Sequence, residues 1–272
     1  MKSKIPNDAY AIIIGSMKSG TSSFYNYLVQ HPEICAAKTK EPEFFSEGQA
    51  HGLQCDIYSD LWDFDENTHK IALEASTGYT KYPFEANVPE RIFSYGINPK
   101  MVYCVRNPFD RIVSQYHYAK KDTSWGNHDI LSPKTLNLSK YYLQLEQFRK
   151  YFPKEDILIV DFKDITSNTQ KAVNQVFDFF NLSHIKIDEP KIHNKTPLIS
   201  DKEQFLKEKY AAFIDKLPSG IKQFGRNTLN KVYKTKKREL SLSEKEEIHK
   251  TLNSDMQNFQ KEYNFDVSKW GF

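Results

Sequence analysis

Short apolar runs alternate with amphipathic segments from residue 10 to residue 180. The apolar runs predict four buried strands, at Tyr10–Gly15, Lys70–Glu74, Lys100–Val105 and Asp156–Val160. Apolar residues spaced three and four apart predict four helices, at Thr21–Gln30, Val88–Tyr95, Phe109–Ala119 and Gln170–Phe180. Buried strands separated by helices are typical of an α/β fold with a parallel sheet covered on both faces.

The strand pattern fades after Leu182, and the rest of the chain is predicted to be helical. Helices are expected at Asp201–Leu217 and Ser243–Tyr263, the second with Ser243 as N-cap and Glu246 completing a capping box. The polar stretch 120–138 is predicted to be a loop near the mouth of a site. We therefore expect a single domain over residues 1–272 with a helical C-terminal region.

Composition and charge narrow the class of protein. Of the 272 residues, 39% are hydrophobic and 27% are charged, which is enough for a packed core. The 38 Lys and Arg nearly balance the 35 Asp and Glu, leaving a net charge of +3. This balance argues against a nucleic-acid partner, but it leaves room for a local basic pocket.

The cysteine content and the hydropathy of the chain argue against further classes of protein. The three cysteines, Cys35, Cys55 and Cys104, form no CxxC pair, which argues against a disulfide scaffold or a zinc ribbon. No window approaches the ~18 apolar residues of a membrane-spanning helix. We expect a cytoplasmic protein without a membrane span, and the sequence predicts no oligomeric state.

The segment from Gly15 to Ser23 carries the first functional pattern. It joins an apolar strand to an amphipathic helix, a context in which backbone N–H groups converge on an anion. Gly15 and Gly20 allow a tight turn, and Lys18 adds a positive charge. The segment therefore predicts a phosphate-binding loop and a P-loop-like sheet.

This loop differs from that of a magnesium-dependent ATPase. A Walker A loop has the pattern GxxxxGK[ST]. Here Thr21 follows the second glycine, and the lysine lies inside the loop at Lys18. The strand Lys100–Val105 leads into Arg106, where a magnesium-binding aspartate would be expected.

A second pattern, RNPFDRIVS at 106–114, follows the third predicted strand. Arg106 would emerge at the carboxyl edge of the sheet, where open α/β folds bind ligands. Pro108 suits the first turn of a helix, and Ser114 lies on that helix. A guanidinium and a hydroxyl placed together suit a second phosphate, whereas the alternative is that Arg106 and Arg111 only form surface ion pairs.

Together, KSGTSS at 18–23 and RNPFDRIVS at 106–114 resemble the two nucleotide motifs of sulfotransferases that use 3′-phosphoadenosine-5′-phosphosulfate (PAPS). Three further segments are similar to the heparan-sulfate type of this family. They are KEPEFFS at 40–46, VPERIFSYGINPKMVYCVRNP at 88–108, and the closing LSLSEKEEIHK and NFDVSKW around 240–270.

The resemblance implies in-line sulfuryl transfer from PAPS, without a metal, to an acceptor oxygen or nitrogen. Lys18 would stabilise charge at the leaving phosphate, and Arg106 and Ser114 would hold the 3′-phosphate. A basic cluster, Lys236, Lys237 and Arg238, would close over the nucleotide. The residues implied on the 5′ side are Ser19, Gly20, Thr21, Ser22 and Ser23.

Glu41 is the candidate general base, because it matches the glutamate before Phe-Phe in the heparan-sulfate type. Glu43 is the neighbour most easily confused with it, and a plain surface role for Glu41 is the other reading. Where the heparan-sulfate type often has lysine after a strand glutamate, this chain has Ala75. A catalytic cation is therefore missing at that position, which argues against a long anionic glycan as acceptor.

The implied activity is sulfuryl transfer from PAPS to a hydroxyl or amine of a sugar, glycolipid or small natural product. Two alternatives belong to other classes: a P-loop small-molecule kinase and a non-catalytic nucleotide-binding domain. The position of Lys18 and the missing aspartate argue against the kinase.

Overall fold

The computed structural model describes residues 5–47, 57–121, 129–188 and 238–272. The helix predicted at Asp201–Leu217 lies outside these residues, as do Lys236 and Lys237 of the basic cluster.

The described residues form one five-stranded sheet whose neighbouring strands all pair in parallel. The strand order is β2-β3-β1-β4-β5, so the direction of winding changes at the central strand β1. The strands are β1 (Tyr10–Gly15), β2 (Ile34–Ala36), β3 (Ile71–Ala75), β4 (Lys100–Val105) and β5 (Ile157–Asp161). The prediction of four strands is confirmed, with shifts of one residue in β3 and β5. The edge strand β2 has three residues, which is too short for a periodic signal.

Helices cover both faces of the sheet, as the alternation of patterns predicts. They are α1 (Thr21–Leu28), α2 (Val88–Tyr95), α3 (Pro108–Lys121), α4 (Pro133–Asn137), α5 (Tyr141–Arg149), α6 (Phe162–Ser167), α7 (Thr169–Phe179) and α8 (Leu242–Tyr263). The four helices predicted before residue 180 are confirmed with small differences at their ends. The α/β fold class is therefore confirmed.

Alternate residues of the central strand face opposite layers of the core. Tyr10, Ile12 and Ile14 pack in the layer that holds α2, α3, α5 and α8. Ala11 and Ile13 pack in the layer that holds α1, α6 and α7. Burial on both faces explains why the strand is apolar at every position.

Three helices, α4, α5 and α6, were missed by the sequence analysis, and the first two were missed for different reasons. The short helix α4 lies in the stretch 120–138 that was predicted to be a loop, where Ser132 caps it by accepting a hydrogen bond from the Thr135 amide. In α5 the buried residues Tyr141, Gln144, Leu145 and Phe148 do follow helical spacing. A buried glutamine interrupts the apolar pattern there, because its side chain bonds to the Tyr82 backbone instead of to water.

The predicted cap of the C-terminal helix is wrong by two residues. The structure places Ser241 at the N-cap, where its hydroxyl accepts from the Glu244 amide and the Glu244 carboxylate accepts from the Ser241 amide. Ser243 lies inside the first turn of α8. Both serines precede a glutamate by three residues, so the sequence pattern alone does not separate the two registers.

A buried carboxylate lies on β3, next to the central strand of the sheet. Glu74 of β3 is fully buried, and the hydroxyls of Tyr58 and Tyr79 each donate to its Oε1 at 2.9 Å. The Ser76 hydroxyl donates to Oε2 at 2.5 Å. Burial raises the pKa of the Glu74 carboxyl to about 7, since these three hydrogen bonds offset only part of the lost hydration.

The capping register can be tested by a pair of alanine substitutions. Ser241→Ala is expected to lower the free energy of unfolding by about 1 kcal/mol, the usual cost of losing an N-cap hydroxyl. Ser243→Ala removes no cap and should cost less than about 0.5 kcal/mol. Urea denaturation of both variants measures the difference, and equal losses would contradict the assigned register.

Glu74 should make stability depend on pH. Its folded pKa lies above its unfolded pKa, so the protonated carboxyl stabilises the fold below about pH 4.5. That contribution is lost as the pH rises through about 7. The free energy of unfolding of the native chain, minus that of Glu74→Gln, should therefore fall by about 3 kcal/mol between pH 4.5 and 8. A difference that stays constant or rises with pH, measured by denaturation, would rule out this origin.

Candidate active site

The loop between β1 and α1 is fixed to the neighbouring strand β4. The Ser16 amide and hydroxyl both donate to the Cys104 carbonyl, at 2.8 and 3.0 Å. The Ser16 hydroxyl also lies 2.7 Å from the Ser19 hydroxyl, and both side chains are buried. Of the residues predicted on the 5′ side, Ser19 therefore has its hydroxyl engaged inside the loop.

Gly20 ends this loop in a conformation that favours glycine. Its φ is 82°, and a Cβ at this position would lie 2.9 Å from the Phe162 ring. Helix α1 then begins at Thr21 with no side-chain cap on its first turn. Thr21, Ser22 and Ser23 lie in that turn, where backbone N–H groups and the helix dipole favour an anion.

Lys18 and Arg106 meet at the carboxyl ends of β1 and β4. Lys18 has a left-handed backbone, with φ of 72°, and its Nζ lies 4.5 Å from the centre of the Tyr118 ring. The Arg106 Nη1 donates to the Lys18 carbonyl at 3.1 Å, and its guanidinium lies 4.4 Å from the centre of the Phe162 ring. The structure thus brings together the two cations that the sequence assigned to different phosphates.

One nitrogen of Arg106 is left without a protein partner. Its Nε is buried and makes no hydrogen bond within the described part of the chain. Burial also lowers the pKa of this guanidinium. A buried donor without a partner is costly, so the position suits an anionic ligand.

Ser114 lies on α3, on the same face as Tyr118 four residues later. It is half-buried, and its hydroxyl makes no hydrogen bond among the residues described. The Tyr118 ring on this face is the one that contacts Lys18. The helix therefore directs Ser114 towards the same edge of the sheet as Arg106.

Arg238 of the predicted basic cluster also lies against α3. Its amide donates to the His117 Nε2 at 3.1 Å, and its guanidinium lies 4.6 Å from the centre of the Tyr116 ring. The guanidinium pairs with Glu244 of α8. The charge of Arg238 is thus engaged within the protein, whereas Lys236 and Lys237 lie outside the described residues.

Glu43 is buried, and its carboxylate holds the Gly78 backbone and the Ser46 side chain in place. It is only 3% exposed. Its Oε1 accepts from the Gly78 amide at 2.7 Å and its Oε2 from the Ser46 hydroxyl at 2.6 Å. A Cβ on Gly78 would lie 1.6 Å from the Glu43 carboxylate, so only glycine allows this approach.

Glu41 has a more open environment than Glu43. Its side chain is 30% exposed. Its contacts are long: Oε2 lies 3.5 Å from the Thr77 hydroxyl, and Oε1 lies 3.9 Å from the Lys40 Nζ. Glu41 and Glu43 both have left-handed backbones, which turns the two carboxylates into different surroundings.

A short 3-10 turn, Thr77–Thr80, joins the glutamate segment to the anion-binding loop. Thr77 contacts Glu41, and the Thr80 hydroxyl donates to the Ile14 carbonyl at 2.9 Å. A Cβ on Gly15 would lie 2.0 Å from the Thr80 oxygen, so the turn packs directly on the end of β1. Glu41 and Lys18 therefore belong to the same edge of the sheet.

Sequence reasoning missed two groups at this edge. Phe162, at the start of α6, packs against both Gly20 and Arg106. Arg111 is fully buried and forms no ion pair within the described residues, which corrects the alternative of a surface ion pair. Its place beside Ile112 in an amphipathic helix gives no signal of burial, whereas Phe162 directly follows a strand and could have been considered.

Residues 5–47, 57–121, 129–188 and 238–272 contain neither a candidate metal-binding cluster nor a candidate membrane-spanning helix. No group of three or more His, Cys, Asp or Glu side chains is arranged there to hold a metal ion. None of the helices in these ranges has the length and apolar character needed to cross a membrane.

Comparison with known proteins identifies relatives over parts of the chain. It is 34% identical over 113 residues to the membrane-associated sulfotransferase kil1 of Dictyostelium discoideum. It is 28% identical over 188 residues to human heparan sulfate glucosamine 3-O-sulfotransferase 5. These matches cover 40% and 63% of this chain. They span only 22% of kil1 and 53% of the human protein.

A solved structure shares the fold over nearly the whole chain. The sulfotransferase from Alicyclobacillus acidocaldarius superposes with a TM-score of 0.66 over 98% of this chain and 100% of the other. Its sequence identity is 18%, so this similarity concerns the fold.

A family model confirms the resemblance seen in the two nucleotide motifs. The model of the sulfotransferase domain matches residues 8–260, which include both motifs and the segment that carries Glu41. The resemblance to PAPS-dependent sulfotransferases close to the heparan-sulfate type is thereby confirmed. The chain belongs to the sulfotransferase domain family.

Proposed function

We propose that this protein transfers the sulfuryl group of PAPS to a hydroxyl or amine of an acceptor, with Glu41 as the general base. The observation that carries the proposal is that the anion-binding loop and a carboxylate lie at the same edge of the sheet. A cationic loop without a side-chain cap and the partly exposed carboxylate of Glu41 both lie there, joined by the turn Thr77–Thr80.

The residues at this edge fit the two phosphate-bearing ends of PAPS. Lys18 and the first turn of α1, with Thr21, Ser22 and Ser23, would hold the 5′ side. The buried Nε of Arg106 and the hydroxyl of Ser114 would hold the 3′-phosphate. When bound, PAPS would supply an activated sulfuryl group attached to a phosphate that can leave.

Lys18 would stabilise the charge that develops at the leaving phosphate. Its carbonyl is held by Arg106 and its side chain lies over Tyr118, so its position is fixed before the nucleotide arrives. A preorganised cation stabilises developing charge without a cost of reorganisation at the moment of reaction.

Among the described residues, three carboxylates lie near the turn Thr77–Thr80, and of these three Glu41 suits a base. Glu74 is fully buried and already accepts three hydroxyl donors. Both oxygens of Glu43 are occupied by short hydrogen bonds. Glu41 is partly exposed and held only by long contacts, so its oxygens can accept a proton from an incoming hydroxyl or amine.

The acceptor we propose is a sugar, a glycolipid or a small natural product. The heparan sulfate named for several relatives supports a sugar. Ala75, at the end of β3, is buried and uncharged where the heparan-sulfate type often has lysine. The edge beside Glu41 therefore lacks one cation that would favour an anionic polysaccharide.

The two alternative functions, a P-loop kinase and a non-catalytic nucleotide-binding domain, require different residues at the site. A P-loop kinase needs a carboxylate after β4 to hold magnesium, and Arg106 stands there. A non-catalytic nucleotide-binding domain would bind PAPS without using Glu41. Substitution of Glu41 therefore separates the proposed enzyme from this second alternative.

Glu41→Gln should abolish most of the activity while the nucleotide site stays intact. We expect the turnover of labelled sulfate from PAPS to an acceptor to fall by about 10²- to 10⁴-fold, the usual contribution of a general base. The Kd for 3′-phosphoadenosine-5′-phosphate (PAP), measured by calorimetry, should stay within about twofold, since the residue faces the acceptor side.

Glu47→Gln is the matched control, because it makes the same change at an exposed position of the same segment. Its turnover should equal that of the native protein. Near-normal turnover in Glu41→Gln with unchanged PAP affinity would exclude Glu41 as the base.

Replacing Glu43 or Glu41 with alanine should lower the free energy of unfolding by different amounts. Glu43→Ala leaves the buried Gly78 amide and the Ser46 hydroxyl without their acceptor, so the free energy of unfolding should fall by about 2–4 kcal/mol. Glu41→Ala should cost less than about 0.5 kcal/mol, since its contacts are long and partly exposed. Denaturant titration of both variants compares them, and similar losses would contradict the division of roles.

A further inference from the structure

Arg111 is a buried cation behind the anion-binding loop. Its side chain is fully buried, although arginine is almost never so unless it is paired. Within the described residues, all of its hydrogen bonds go to neutral acceptors. Nε donates to the Ser139 hydroxyl at 2.7 Å, Nη2 to the Thr135 carbonyl at 2.8 Å, and Nη1 to the Gln115 Oε1 at 2.8 Å.

No carboxylate of the described residues pairs with this guanidinium. Besides burial, the groups that act on its pKa are the Tyr141 and Tyr103 hydroxyls, which raise it, and the Arg106 guanidinium, which has the same sign of charge and lowers it. Burial and Arg106 both lower the pKa of Arg111, yet an arginine in a protein remains protonated. Among the described residues this positive charge therefore has no compensating partner in the interior, which is normally destabilising.

Gln115 strengthens this conclusion. It is 1% exposed, and its Oε1 accepts from Arg111 while its buried Nε2 has no partner in the described part of the chain. A glutamate at this position would satisfy Arg111 with a charged acceptor and would remove the orphaned amide donor. Glutamine instead keeps the charge of Arg111 uncompensated at a cost in stability.

The place of Arg111 indicates what the charge acts on. Its Nη1 also points at the Met17 carbonyl, 3.5 Å away, and Met17 precedes Lys18 in the loop. Arg111 thus lies on the protein side of the loop whose other side is proposed to bind phosphate. Charges in the low-dielectric interior act over longer distances than charges in water.

We propose that Arg111 is a positioning residue that supplies an uncompensated buried charge to the nucleotide site without touching the nucleotide. This inference rests on the proposed function, because the anion that compensates the charge is the phosphate of PAPS or PAP. In the ligand-free protein the charge is a destabilising element, and in the complex it contributes to affinity.

Gln115→Glu tests this without changing Arg111. The new carboxylate would lie within hydrogen-bond distance of the guanidinium and neutralise it. We expect the Tm of the ligand-free variant to rise above that of the native protein. We also expect its affinity for PAP, measured by calorimetry, to fall by about tenfold. A role of Gln115 in folding alone would move Tm and affinity in the same direction.

Gln147→Glu is the control for the added negative charge. Gln147 lies on α5 and accepts a hydrogen bond from Lys150 at the surface. The affinity of the Gln147→Glu variant for PAP should equal that of the native protein. Arg111→Met provides a second probe, since it removes the charge with a side chain of similar length and should also weaken PAP binding about tenfold or more.

The results of these measurements separate a failure of the role of Arg111 from a failure of the proposed function. Unchanged PAP affinity in Gln115→Glu, or a loss of both stability and affinity, would overturn the role of the charge while the proposed function stands. If the native protein itself binds no PAP, the proposed function fails and the role of Arg111 fails with it. A rise in Tm with a loss of affinity, absent in Gln147→Glu, supports the inference.

Discussion

The site depends on close backbone packing at the carboxyl end of β1. A Cβ on Gly15 would collide with Thr80, and one on Gly20 would collide with Phe162. Between these two glycines the loop is tied to β4 by the hydrogen bonds of Ser16 to Cys104. This packing turns the backbone so that Lys18 and the first turn of α1 face a common point.

The same edge holds charges in three different environments. Glu74 is buried among hydroxyls, with its pKa raised, and Glu43 is saturated by hydrogen bonds, so both serve to fix the turn Thr77–Thr80. Glu41, on the outside of this support, is partly exposed and held only by long contacts, as the proposed general base requires. On the cationic side Lys18 and Arg106 are the proposed phosphate contacts, whereas Arg111 lies behind the loop, against the Met17 carbonyl.

Most of the fold and the outline of the site follow from local sequence patterns. The doubly buried strand β1 is apolar at every position and β4 at every position after Lys100, and a glycine-bounded loop between strand and helix is a local signal. The resemblance also favoured Glu41 over Glu43, which stays a prediction until the activity is measured. A cytoplasmic location stays a prediction as well.

What the sequence could not show are contacts made across the fold. The burial of Arg111 depends on Thr135, which lies in the stretch 120–138 predicted to be a loop, and on Ser139, which directly follows it. The anchoring of Glu43 depends on Gly78, 35 residues away in the chain. Neither partner carries a local pattern, because a hydrogen bond between distant segments leaves no periodicity.

The central claim is that this edge of the sheet binds the nucleotide product PAP through two separate phosphate sites. A crystal structure of the protein with PAP tests it most directly. The account predicts the 5′-phosphate at Lys18 and the first turn of α1, and the 3′-phosphate accepting from the Arg106 Nε and the Ser114 hydroxyl. A nucleotide bound elsewhere, or one that leaves the Arg106 Nε without a partner, would contradict it.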